Sequence, residues 1–144
     1  MKTQNFQNHA QYYPFHHFVL TPMTLIYLGM TLYNLDQYTT TAAAVQAILL
    51  AVIIVLLPLL ARIYALKNQN RIIIAEMRQR YFELTGERFE STKESELSTS
   101  QIIALRFASD EELLPLMEQA ILEKWDNKTI KKAVKNWKAD YRRV

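Results

Sequence analysis

Between Asp36 and Arg62 the chain carries no formally charged side chain, and the stretch from Thr3 to Leu35 carries none either. Crossing a hydrocarbon core of ~30 Å takes roughly 20 apolar residues at a rise of ~1.5 Å each. Thr39 to Ala61 is rich enough in Leu, Ile, Val and Ala to do this. Lipid offers no partner to backbone N–H and C=O groups, so such a segment has to pair them internally, as a helix. The expected location is therefore a membrane.

The charge is unevenly spread. Residues up to about 66 are apolar and nearly uncharged, whereas the remainder carries almost all of the Lys, Arg, Asp and Glu. That asymmetry reads as a membrane segment followed by a polar domain. The absence of cysteine excludes disulfides and thiolate metal sites. Two Gly and four Pro leave little material for sheets and tight turns. The expected fold is all-α: an antiparallel transmembrane hairpin running into a cytoplasmic helix, then a small cluster of short helices. The expected divisions are 1–17, a juxtamembrane segment; 18–61, the hairpin; 62–86, the extension of the second helix; and 87–144, the small helical domain.

Phe18 to Leu35 is the weaker span, interrupted by Thr21, Pro22, Thr24, Gly29 and Thr31. Such a helix inserts best with a neighbour that covers its hydroxyls. A cleaved leader is the alternative, but a long start with only Lys2 and several tyrosines favours a retained span. The short link Asn34 to Tyr38 makes the spans antiparallel neighbours. Arg62, Lys67, Arg71, Arg78 and Arg80 follow the second span, while the link holds only Asp36. The positive-inside rule then places both termini in the cytoplasm, with Asp36 outside. Ala43, Ala47 and Ala51 recur every four residues and form a close-packing face, with Gly29 opposite and Gln46 nearby. That face receives either the first span or a second protein.

Beyond Ala61 nothing breaks a helix until Gly86. Ile63, Leu66, Asn70, Ile73, Met77 and Leu84 follow a heptad-like seam, suited either to the protein's own C-terminal domain or to a second copy. Glu90 to Ser100 reads as a loop. Ser98 with Gln101, and Ser109 with Glu112, match the capping-box pattern and predict helices near Thr99–Phe107 and Asp110–Trp125. Asp126 or Asn127 caps a last helix from Lys128 towards Arg142, with Ile130, Ala133, Val134, Trp137 and Tyr141 on its apolar face.

Four segments carry a resemblance: QNFQNHAQYYPFHHF (Gln4 to Phe18), RIYALKNQNRIIIAEMRQR from Arg62, ALRFASDEEL (Ala104 to Leu113) and IKKAVKNWKADYRRV (Ile130 to Val144). Together they resemble an uncharacterised family of small bacterial two-span membrane proteins, over nearly the whole chain. The resemblance implies a membrane-embedded domain of unknown function and carries no catalytic residue with it.

His16 and His17 are weak candidates for holding a metal, haem or quinone, since no Asp, Glu or Cys adjoins them in sequence. Interfacial anchoring beside Tyr12, Tyr13 and Phe15 is the simpler role. Lys128, Lys131, Lys135, Lys138 and Arg142 fall on one stripe of the expected last helix. Near anionic headgroups each such charge would gain about 1 kcal/mol; a merely solvated face is the alternative, and nucleic acid is disfavoured. No paired-carboxylate or phosphate-loop pattern is visible, and no cofactor is expected. The expected function is non-catalytic: an accessory or scaffold subunit of a membrane complex, associating with another membrane protein or with itself. The alternative is a homo-oligomeric transport or channel component with Gln46, Thr24 and Thr31 as its polar groups.

Overall fold

A computed structural model of the chain describes residues 4–8 and 12–140. The helices are α1 (Thr21–Tyr33), α2 (Thr41–Thr85), α3 (Phe89–Thr92), α4 (Thr99–Leu105), α5 (Asp110–Leu122) and α6 (Asn127–Ala133). Among the described residues there is no strand, only an isolated antiparallel bridge between Ala108 and Trp137. The chain divides into two compact units, residues 12–66 and residues 4–8 with 67–140. From Lys67 onward α2 groups with the C-terminal helices. Gln4 to Asn8 group there too.

In the first unit the helical run begins at Phe15, earlier than the expected Phe18. Phe15–Leu20 is π-helical, and the Thr21 N–H and hydroxyl both donate to the His16 carbonyl, the hydroxyl at 2.8 Å. It continues directly into α1, whose second residue is Pro22. The run stops at Tyr33 rather than Leu35, and Leu35–Gln37 forms a 3-10 turn. There Asn34 Nδ2 donates to the Met30 carbonyl at 2.8 Å, satisfying one of the helix's terminal acceptors.

Thr40 starts α2, its Oγ1 accepting the Ala43 N–H at 3.2 Å. The helix runs 45 residues, through Pro58. Gly86 ends it in the left-handed region, φ +74°, donating its N–H to the Phe82 carbonyl at 2.8 Å. Among the described residues, α2 is the one helix long and apolar enough to cross a membrane, and its most apolar window is almost wholly exposed. α1 counts 13 residues, fewer than the roughly 20 a full crossing needs.

The second unit builds its core on one stripe of α2. Ile73, Met77 and Tyr81 lie at i, i+4, i+8 and are buried with Phe89, Ile102, Leu105, Leu113, Met117 and Ile130. The rings of Tyr81 and Phe89 stand 5.1 Å apart. Of the expected seam, Ile73 and Met77 enter this core, while Ile63, Leu66 and Leu84 stay exposed.

Candidate functional site

Arg78 and Arg80 tie α2 to the short helices, and Arg106 meets the segment that follows α6. Arg78 donates to both carboxylate oxygens of Glu94 at 2.7 Å and lies 3.3 Å from Glu90. This pair organises the stretch expected to be a loop, which instead forms α3 and a 3-10 turn at Glu94–Glu96. The Arg78 guanidinium bound to Glu94 holds that carboxyl below the ordinary range. Arg80 donates from Nε to Asp110 at 2.5 Å and from Nη2 to the Ala108 carbonyl at 2.7 Å. Its hydrogen bond holds the Asp110 carboxyl low, and Lys138 Nζ, 3.5 Å away, adds to the effect. Arg106, whose side chain is 10% exposed, lies 3.4 Å from Asp140 and 4.6 Å from the centre of the Phe107 ring.

Alongside these groups runs an open groove of about 480 Å³, lined by Met77, Arg80, Glu83, Arg106, Lys138 and Asp140. Its cations face acidic partners, so the groove is locally neutralised. Chemically it offers a set of charge-assisted hydrogen bonds that hold elements together.

The last helix departs from expectation. α6 ends at Ala133 and Val134 is extended. The Glu112 carboxylate explains this: it accepts the N–H groups of Lys135 and Asn136 at 3.2 and 3.1 Å, taking donors that a longer helix would need. The chain then crosses the α4–α5 turn, where the Lys138 N–H donates to the Phe107 carbonyl at 2.8 Å and Trp137 stacks 4.8 Å from Phe107. Lys135 and Lys138 consequently leave the stripe of Lys128 and Lys131, and Arg142 and Tyr141 lie outside the described residues. Among the described residues, Lys128 and Lys131 lie on α6, whereas Lys135 and Lys138 lie beyond its end.

The second capping box does not form: the Ser109 hydroxyl makes no capping bond, and the Glu112 carboxylate is engaged by Lys135 and Asn136. The first box forms between Ser98 and Gln101. Asp126 caps α6, accepting the Thr129 N–H at 2.7 Å. Gln4 Oε1 accepts the Asp140 N–H at 2.8 Å, and the Phe6 ring lies 5.7 Å from Lys132 Nζ.

In the first unit, covered residues follow one stripe on each helix. On α2 they include Ala43, Ala47, Ala51, Ile54 and Pro58; on α1 they include Thr24, Leu28 and Thr31. Gly29 and Gln46 are exposed, outside these stripes, and a Cβ on Gly29 would meet nothing within 4 Å. The buried hydroxyls of Thr24 and Thr31 each donate to a carbonyl of their own helix at 2.9 Å. His16 and His17 have ring centres 5.1 Å apart, with Tyr12 edge-on to His17 at 5.4 Å. Among the described residues no three of His, Cys, Asp and Glu gather as a metal would require.

Local pattern gave Arg78 and Glu112 other roles and Arg106 none, because the partners of all three are distant in sequence. Arg80 did leave a signal, a charge in an apolar register. No curated protein and no solved structure matches this chain. Residues 1–144 match the family described as "Family of unknown function (DUF6526)", and the chain belongs to that family.

Proposed function

We propose that this protein is an integral protein of a bacterial cytoplasmic membrane, held by a two-helix hairpin with both termini in the cytoplasm. It acts without catalysis, as an accessory or scaffold subunit that presents its helical domain to a membrane complex. The observation that supports the two-crossing topology is the hydrogen bond from the Asp140 N–H to the Gln4 side-chain oxygen. It ties the beginning of the chain to its end on one side of any bilayer. An even number of crossings satisfies that condition, and α2 alone would not. The π-helical turn ahead of α1 supports the second crossing by lengthening the helical run to residues 15–33. Exposed Leu, Ile and Val along α2 fit a lipid solvent, because an aqueous surface of that size would aggregate. The intrahelical bonds of Thr24 and Thr31 speak for packing more than for a conducting path.

Purification in mild detergent followed by mass spectrometry tests the role. Co-purification of a defined membrane partner or of further copies is expected; recovery solely as a free monomer would refute it. Cysteine labelling tests the topology in this cysteine-free chain. Asp36→Cys should react with an impermeant maleimide from outside, and Leu122→Cys only after lysis.

A further inference from the structure

On the 67–85 part of α2, the stripe opposite the core is itself patterned. At ~100° per residue, Ile73, Met77 and Tyr81 centre one face. Asn68, Ile72, Ala75, Gln79 and Phe82 centre the face about 180° away, at alternating spacings of four, three, four and three. All five are exposed, Ile72 at 59% and Phe82 at 55%. Written as a heptad, Ile72 and Gln79 take a positions and Asn68, Ala75 and Phe82 take d positions. The core residues Ile73 and Met77 then fall at b and f, the outward positions of a coiled coil. The C-terminal helices thus occupy the back of α2 and leave its seam open.

We propose that this seam pairs with the same seam of a second copy, in parallel. Charge argues for that occupant. Arg71 and Arg78 sit at g, and Glu76 and Glu83 at e, each glutamate five residues after its arginine. In a parallel pair, g of one chain meets the following e of the other, so Arg71 meets Glu76 twice per dimer. In an antiparallel pair, g meets g and e meets e, which sets arginine against arginine. Arg71 and Glu76 are both exposed, and no ion pair within the chain is formed by either among the described residues. Arg78 is already held by Glu94, so Arg71 with Glu76 carries the charge selection. Ala75 lets the helices approach, and Asn68 sets register at some cost in stability. A seam of two heptads is weak in solution. The inference rests on the membrane reading above, because two copies anchored in one bilayer are parallel and locally concentrated.

The test uses the full chain in native membranes with single cysteines and a short bis-maleimide. Ala75→Cys should give cross-linked dimer well above Leu122→Cys, a control exposed elsewhere in the same unit. Adding Arg71→Glu turns two attractive contacts into two repulsive ones and should lower the dimer yield roughly tenfold. Adding Glu76→Arg to that variant should restore it. All of these positions are exposed, so the core is untouched. Absence of Ala75→Cys dimer, equal yield from both cysteines, or indifference to the charge swap would each overturn the proposal. A partner captured without self-cross-linking would sink this inference and leave the scaffold reading standing. Release of the protein by a carbonate wash would sink the scaffold reading itself.

Discussion

Arg80 is where loss of one side chain should cost most for its position. Its side chain is 12% exposed and its guanidinium spans from α2 to the α4–α5 turn. Arg80→Met keeps much of the length and removes every donor. The bond to the Ala108 carbonyl is short at 2.7 Å, whereas the contact with the Arg106 carbonyl, at 3.4 Å, is too long to weigh heavily. A shielded bond from a charged donor contributes about 1.5–3 kcal/mol. Asp110 is half exposed, so solvent screening holds its share to less than ~1 kcal/mol. The combined loss is about 3 kcal/mol, which in a unit of this size lowers Tm by roughly 12–24 °C. Both tryptophans, Trp125 and Trp137, belong to this unit, so their fluorescence during a thermal scan of the full protein in detergent follows its unfolding. Asp110→Asn should cost far less. A Tm for Arg80→Met within ~3 °C of the parent would show the arginine to be a surface ornament. Equal losses in the two variants would place the stabilisation in the ion pair and not in the carbonyl anchor.

Acid should weaken the same unit. Glu94 and Asp110 have folded pKa values below their unfolded ones, so their stabilising contribution is complete above the ordinary carboxylate range of about 4. It is lost as pH falls through the lower folded values. Tm should stay flat from neutral pH down to about 5 and then fall below about 4, less steeply in the Glu94→Gln, Asp110→Asn double variant; parallel acid limbs would refute the assignment. Glu112→Ala should raise amide exchange at Lys135 and Asn136 roughly tenfold, since it removes the acceptor of both. Unchanged protection would mean that α6 stops at Ala133 for another reason. Gly86→Ala should cost about 1 kcal/mol by backbone strain alone, because its Cβ would meet nothing within 4 Å; a neutral effect in the same fluorescence scan would count against the left-handed stop.

Features encoded within a few residues were legible in the sequence. The Ser98–Gln101 box, the Asp126 cap, the stop at Gly86 and the long uninterrupted α2 each depend on neighbours that a local pattern includes. The misreadings share one cause, a partner far along the chain. Ser109 with Glu112 matches the capping pattern as well as Ser98 with Gln101 does, yet Glu112 is drawn to amides 23 and 24 residues away. Ile130, Val134 and Trp137 are buried or half-buried as helical spacing predicts, although only Ile130 is helical. Burial was right there for the wrong backbone, because an extended segment across a turn can cover the same residues. Glu90 to Ser100 looked like a loop because its organiser, Arg78, lies on another element.

The same distinction governs what can be said about α2. Its composition says where the Thr41–Ala61 portion is at ease, since apolar surface is costly in water wherever it lies. Composition does not say which side of residues 67–85 is spare. Two stripes there have comparable heptad spacing, one through Ile73 and Met77 and one through Ile72, Ala75 and Phe82. The first is richer in large apolar groups and receives α4–α6; the second is flanked by Arg71 and Glu76, which no core could bury without cost. Charge at the margins therefore reinforces that difference in apolar bulk. Together they assign one stripe to the interior and keep the other outside, still spaced for a helix to meet it.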